Sequence, residues 1–436
     1  MADKLRIPTT APQHGGGTAE YPDPLPIETD ASAEAAVGVV REWIEQAIPA
    51  EWRIAAEKGV EQLREVRPRE AYEQWYPAFA STGLAIPQWP RAYGGLGVSS
   101  TTARAIEAEL APHRLGRLNI LGINLAGSAL LHWGTEEQKR RYLIPIVRNE
   151  EQWCQLFSEP NAGSDLPSLA AWATRTETGW QITGQKVWNT WAEKADFGIL
   201  LARTSPDLPK REGLTCVILP MHQPGVEVRP LRQLTGDSEF NEVILDEAQA
   251  GDEHLLGSVD NGWAVARTVL SGERQNVSGP GSGGGLDNLG GRSVHRLLQR
   301  AAEANPAGRP ADDAIWRQRL MKLWSEHQVM LWTNLRVRGA RKSGREPGAN
   351  SSIGKLFSTE HNKRLQEAWF DMTAMVADAG ATEEGRRVRY GFLRSRANTI
   401  EGGTSQVQRN VLGEAILGLP REPDQYHGAS WRDVPR

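Results

Sequence analysis

Three stretches of this chain place hydroxyls, amides and aromatic rings at the ends of apolar runs, where ligands are bound. In the first, Gln155-Leu156-Phe157-Ser158-Glu159-Pro160-Asn161-Ala162-Gly163-Ser164-Asp165, an apolar run ends in hydroxyls and glycine. Such a loop offers N–H and O–H donors to an anionic or carbonyl-rich ligand. In the second, Gly184-Gln185-Lys186-Val187-Trp188-Asn189-Thr190-Trp191, a large aromatic stands two residues before a hydroxyl at a predicted strand end. Strand alternation puts Trp188 and Thr190 on one face, an arrangement suited to stacking on a flat ring such as a flavin and equally ordinary as sheet packing. In the third, Asn398-Thr399-Ile400-Glu401-Gly402-Gly403-Thr404-Ser405-Gln406-Val407-Gln408-Arg409-Asn410, a glycine turn runs into a helix whose first N–H groups can hold carbonyls or phosphates.

The elements that must position these stretches follow from periodicity. Residues 1–32 are rich in Pro, Gly, Ala and Thr without a period and read as a flexible N-terminal arm lying on a neighbour. Residues 33–150 are helical: Val37, Val40, Trp43 and Ile44 share a face, and Thr135-Glu136-Glu137-Gln138 is a capping box. Residues 151–259 break into short β-prone runs, Trp180 to Thr183, Phe197 to Thr204, Leu214 to Leu219, Val226 to Val228 and Phe240 to Leu245. Turn-bounded strands at this spacing predict an antiparallel sheet or barrel on the ligand side. Residues 260–436 return to the helical period, with Trp316, Leu320, Leu323, Leu331 and Leu335, then Leu365, Trp369, Met372 and Val376. The fold class is therefore α+β, an N-terminal helical domain, a central antiparallel β-barrel and a C-terminal helical bundle, with Gly279 to Gly291 and Asn305 to Pro310 as loops.

Composition removes several alternatives. A chain of 436 residues is too long for one small core. Its 50 basic and 54 acidic side chains leave a net charge of -4 without long single-sign runs, which argues against a nucleic-acid or membrane-surface partner. No apolar run is long enough for a membrane span and the N-terminus lacks a signal-peptide core, so a cytoplasmic location is expected. Cys154 and Cys216 form no C-x-x-C pair and read as reduced, buried thiols. Sixteen tryptophans are enough to line a pocket for a planar ligand, although core filling accounts for most of them.

Other motifs carry less. The glycines from Gly281 to Gly291 contain no G-x-G-x-x-G, so a Rossmann site is not indicated. Ser352-Ile353-Gly354-Lys355 fits S-x-x-K without the partner motifs of acyl transfer and reads as a helix start. No histidine has metal-ligand spacing.

In this order, the three stretches resemble the acyl-CoA dehydrogenase family. The likeness extends to Ile86-Pro87 through Tyr93-Gly94-Gly95-Leu96-Gly97, to Gly134-Thr135-Glu136-Glu137-Gln138-Lys139, and to Phe240-Asn241-Glu242-Val243 before Leu256-Gly257, over roughly residues 35 to 420. The resemblance implies an FAD cofactor, an acyl-CoA substrate and an electron-transfer flavoprotein or similar acceptor, in a tetramer. It places Gln155, Phe157, Ser158 and Ser164 along the cofactor, Ser164 near the FAD or CoA phosphates, Trp188, Asn189 and Thr190 beside the ring, and Thr404, Ser405 and Gln406 at its far side. Ser164, Ser271, Arg274 and Gly403 are the implied substrate contacts.

The implied reaction removes an α proton as a hydride leaves the β carbon for flavin N5, and it needs one desolvated carboxylate. Most relatives carry that Glu directly before Gly-Thr-Ser-Gln, where this chain has Gly402, with Glu401 one residue too early. The isovaleryl-CoA and long-chain types carry it on an earlier helix before an Arg, and Ser271-Gly272-Glu273-Arg274 supplies that pair, making Glu273 the candidate base. The family's Arg-x-x-Phe-Gly-x-Pro and Gln-x-x-Gly-Gly segments are missing; Gly308-Arg309-Pro310 and Ala379-Gly380-Ala381 stand in their regions. The pattern is similar to actinobacterial members that act on steroid side chains or other bulky acyl groups, some of which pair unlike subunits, so both a homo-oligomer and a hetero-oligomer are compatible. The alternatives are a flavin oxidase or monooxygenase on the same fold, and a non-catalytic FAD-binding partner subunit.

Overall fold

The computed structural model describes residues 23–278, 294–303, 308–342, 350–374 and 382–435. Helical regions flank a central sheet, as the change of period predicts. The first comprises α1 (Ala33–Ala47), α2 (Ala50–Lys58), α3 (Val60–Val66), α4 (Arg69–Ser81), α5 (Ser100–Leu110), α6 (Ser128–Trp133) and α7 (Glu136–Arg148). Val40, Trp43 and Ile44 are buried, and Thr135 and Gln138 exchange the two hydrogen bonds of the capping box that opens α7. The segment before α1 does not hang free from residue 23 onward: Leu25 and Ile27 are buried, and the Leu25 amide donates to Thr82 O at 3.0 Å. A π-helical turn, Gly122–Gly127, leads into α6.

The central strands are β1 (Trp153–Leu156), β2 (Trp172–Arg175), β3 (Gly179–Thr190), β4 (Phe197–Arg203), β5 (Leu214–Pro220), β6 (Val226–Leu231), β7 (Phe240–Gly251) and β8 (Leu255–Leu256). They form one sheet in the order β6-β7-β3-β2-β4-β5-β8, with β1 also paired to β4. The sheet is mixed where an antiparallel barrel was expected, because β1 and β2 both run parallel to β4. No pairing among the described residues joins β6 to β8. The central strands β4 and β5 are apolar on both faces and almost wholly buried, whereas β6 alternates and carries Pro230 at the edge, where a missing N–H costs nothing.

The C-terminal region comprises α8 (Gly262–Ser278), α9 (Val294–Ala302), α10 (Ala314–Lys342), α11 (Asn350–Ala374), α12 (Glu383–Asn398) and α13 (Ser405–Ala415). Leu320, Leu323, Leu365, Trp369 and Met372 form its core together with Val294, Leu297 and Val388. The expected stripe on α10 ends early: Leu331 and Leu335 are exposed, and Met321, Trp324 and Trp332 are exposed with them. Val376 and the loop interval Gly279 to Gly291 lie outside the described residues. Both cysteines are buried and free, and burial pushes the Cys216 thiol up to about 12.

Candidate active site

The loop after β1 is fastened to β3 by a buried charge pair. Lys186, with no exposed surface, donates to Glu159 Oε1 at 2.8 Å, to Phe157 O at 3.0 Å and to Leu201 O at 2.7 Å. Glu159 in turn accepts from the amides of Ala170 and Ala171 at 2.7 and 2.8 Å, which closes the loop on itself. Burial draws the ammonium's pKa down and the Glu159 carboxylate opposes it; three acceptors in bonding range favour the charged form. Two further bonds complete the seam, Val187 N to Ser158 O at 2.9 Å and Asn189 Nδ2 to Gln155 O at 2.8 Å.

This seam determines where the singled-out side chains stand. Phe157 and Asn189 are buried, Gln155, Ser158 and Thr190 half-buried, and Ser164 exposed. Asn189 is held by its own amide, yet its Oδ1 is buried without a hydrogen-bond partner. Trp188 does not follow the simple alternation expected of a strand. It is the extra residue of a bulge between Val187 and Asn189, has φ 63°, and is 61% exposed, with its ring edge-on to Phe240 at 6.0 Å. A bulky residue in the left-handed region is strained, and such strain is commonly found at binding sites.

The glycine turn is held from below by a second buried lysine. Lys355 Nζ donates to Asn398 O at 3.0 Å and to Gly403 O at 2.7 Å. The S-x-x-K pattern thus lies in the first two turns of α11, and its Lys anchors the loop that enters α13. Gly402 and Gly403 have φ 61° and 91°, and a Cβ at Gly403 would lie 2.6 Å from Gln408 Nε2, so the turn needs glycine there. Thr404 caps α13 through its bond from Val407 N, Ser405 is buried and donates to Glu360 Oε1 at 2.7 Å, and Gln406 is exposed. Glu401 bonds Arg394 at 3.1 Å and Asn398 Nδ2 at 2.6 Å.

Arg394 brings the two halves together. Besides Glu401, it pairs with Glu239 at 3.8 Å, and Glu239 O accepts from Trp191 N at 2.8 Å at the end of β3. Burial works against the guanidinium's charge, but the two carboxylates outweigh it and raise its pKa. The Gly402-Gly403 turn is therefore tied to the strand end that bears Trp188, Asn189 and Thr190. Ser271, Glu273 and Arg274 belong to α8, and their side chains lie outside the described residues. The part of α8 before them is fixed: Val265, Ala266 and Val269 are buried, and Thr268 accepts from Trp133 Nε1 at 2.9 Å.

Sequence reasoning passed over Glu159, Lys186, Lys355, Arg394 and Glu239 as functional residues. The first three stood inside quoted motifs, and for Lys186 a charge within a predicted strand was the available signal. A groove of about 640 Å³ lined by Trp172, Arg175, Trp180, Ser205 and Asp252 includes none of the residues singled out from the sequence. No group of potential metal ligands occurs among the described residues.

A glycine turn tied through Arg394 and Glu239 to the end of a sheet strand, with helical regions on both sides of that sheet in sequence, is the frame in which the likeness to known proteins is read. The chain belongs to the acyl-CoA dehydrogenase family: residues 33–150 match the model of its N-terminal domain, 154–248 the middle domain and 260–417 the C-terminal domain. It is 35% identical over 404 residues to the acyl-CoA dehydrogenase IpdE1 of Mycolicibacterium smegmatis, covering 88% of this chain and 97% of that protein. It is 40% identical over 344 residues to the acyl-CoA dehydrogenase FadE34 of Mycobacterium tuberculosis; the match takes in 79% of this chain but only 46% of FadE34. Among solved structures it resembles the ChsE4-ChsE5 complex from Mycobacterium tuberculosis, at 25% identity and TM-score 0.66, over 89% of this chain and 98% of that one. A variant of the steroid ACAD Tcur3481-Tcur3483 superposes with TM-score 0.65 at 25% identity, over 89% of this chain and 99% of that one. No described helix is long and apolar enough to cross a membrane.

Proposed function

We propose that this chain is an FAD-dependent acyl-CoA dehydrogenase in which Glu273 removes the α proton of the thioester. The observation that carries the reading is the Arg394 bridge, which joins the Gly402-Gly403 turn to the strand end bearing the exposed Trp188. A planar group with polar edges suits these residues: an exposed indole, the half-buried hydroxyls of Ser158 and Thr190, the unpartnered Asn189 Oδ1 and the N-terminus of α13. Ser158, Trp188, Asn189 and Thr190 would hold the ring. Gln155 and Phe157 would line it, and Ser164 and Thr404 to Gln406 would hold the phosphates and the far side. When bound, FAD supplies the hydride acceptor. Gly403, Ser271 and Arg274 are assigned to the thioester, and the base is assigned to α8 because Glu401 is already engaged with Arg394 and Asn398.

The likeness to a steroid ACAD and to a two-chain complex supports a bulky acyl group and pairing with a related subunit; a cytoplasmic setting and an electron-transfer flavoprotein or similar acceptor complete the proposal. The test is anaerobic titration of the purified protein with straight-chain, branched and polycyclic acyl-CoA thioesters. Bleaching of the flavin absorbance by one of these is expected. A protein that carries flavin and is bleached by none of them, alone or with a related subunit, refutes the reading, and stoichiometric peroxide release in air transfers it to an oxidase.

A further inference from the structure

The segment that follows α13 lies beyond residue 417, where the family match ends, yet its far end is built into the sheet domain. Trp431 N donates to Leu208 O at 2.9 Å and Arg432 N to Pro206 O at 3.0 Å, and Ser430 bridges to Pro209, so the segment runs as a short ribbon along the loop after β4. The Trp431 ring, 8% exposed, covers the guanidinium of Arg203 at 4.7 Å. Arg203 is wholly buried at the end of β4, and it donates to Pro167 O at 2.6 Å and Lys210 O at 3.0 Å. The Trp431 indole N–H points to Ser168 O at 3.4 Å. The chain of contacts closes on the ligand loop itself: Lys210 Nζ pairs with Asp165 at 2.9 and 3.0 Å, and Ser168 Oγ donates to the same carboxylate.

We infer that Ser430–Val434 is a strap and Trp431 a positioning residue, which together hold the Pro167 and Ser168 carbonyls and thereby set where Ser164 and Asp165 stand for the phosphates of the bound nucleotide. The physical reason is desolvation. A buried guanidinium is costly unless its charge is compensated; two carbonyls take in-plane N–H donors, and the indole covers the flat face by a cation–π contact and keeps water off it. Without the ring, water reaches Arg203, and the 165–168 turn loses its anchor on that side. The inference rests on the proposed role of Ser164, but the strap can be tested apart from it.

Trp431→Leu keeps an apolar side chain but removes the aromatic face, while Trp431→Phe keeps an aromatic face and loses only the indole N–H and some volume. In the full-length chain, hydrogen exchange of peptides covering 161–169 is expected to quicken in the Leu variant and to return toward wild type in the Phe variant. The KM for acyl-CoA is expected to rise about three- to tenfold in the Leu variant with kcat little changed. Unchanged exchange in that window overturns the strap, as does an increase spread evenly over the chain. If neither wild type nor variants, alone or with a related subunit, turn over any acyl-CoA while the exchange pattern holds, the dehydrogenase reading fails and the strap stands.

Discussion

Lys186 Nζ lies 2.8 Å from Glu159 Oε1, with the lysine fully buried and the carboxylate 9% exposed, so the loop that bears Ser158 and Ser164 is fixed by a charge pair shut away from water. Removing one partner strands the other charge. Lys186→Met should lower stability by about 3–5 kcal/mol, whereas the double variant Lys186→Met/Glu159→Gln should lose less than the sum of the single changes. Chemical denaturation of the four proteins checks this; strict additivity would show that the pair is not coupled.

The two candidate carboxylates should behave differently. Glu401 holds Arg394 and Asn398, so Glu401→Gln should weaken the turn while leaving turnover within the same order of magnitude. Glu273→Gln should cut the rate of flavin bleaching by about 10²–10⁴-fold with acyl-CoA still bound, the usual contribution of a positioned base. Single-turnover kinetics on both variants separate the roles, and equal losses would remove the assignment of the base to α8.

Stability should fall in mild acid. Burial is the largest influence on His361, and it lowers the pKa although Glu326 Oε2, 2.9 Å from Nδ1, acts in the other direction; His254 and His113 are lowered by burial as well. For each of these the unfolded chain binds the proton more readily. Their stabilising contribution is therefore complete above the unfolded value of about 6.5 and is lost as pH falls below it toward the folded value. Thermal melts from pH 8 to pH 5 should show a declining Tm, less steep in His361→Gln; a Tm slope identical in the two proteins contradicts the sign argued for His361.

Much of this organisation was legible in the residues. Periodicity separated the helical regions from the sheet, and the Thr135 capping box opened α7 as expected, because both signals are local. The mixed sheet was not legible, since β1 and β2 are short and their parallel pairing with β4 is decided by packing between distant segments. The bulge at Trp188 was likewise hidden, because strand alternation carries no sign of an inserted residue. Arg394 was overlooked because its partners, Glu239 and Glu401, are far from one another in sequence and meet only after α12 docks.

Lys355 gives the sharpest test of the glycine turn. Its ammonium is fully buried and reaches the carbonyls of Asn398 and Gly403 from α11, so the turn's shape depends on a side chain that is not part of the turn. Hydrogen bonds from a charged donor are worth about 1.5–3 kcal/mol each, offset here by the desolvation that Met avoids. Lys355→Met should therefore cost about 2 kcal/mol of stability overall. Its effect on the site should be larger than that figure suggests, because Gly403 O, inside the turn, and Asn398 O, just before it, lose their shared donor together. The variant should retain most of its far-ultraviolet circular dichroism yet release FAD on gel filtration, and Lys355→Arg, which keeps the charge but not the fit, should fall between. Full flavin retention in Lys355→Met would show that the turn is self-supporting and that the lysine serves the helical core alone.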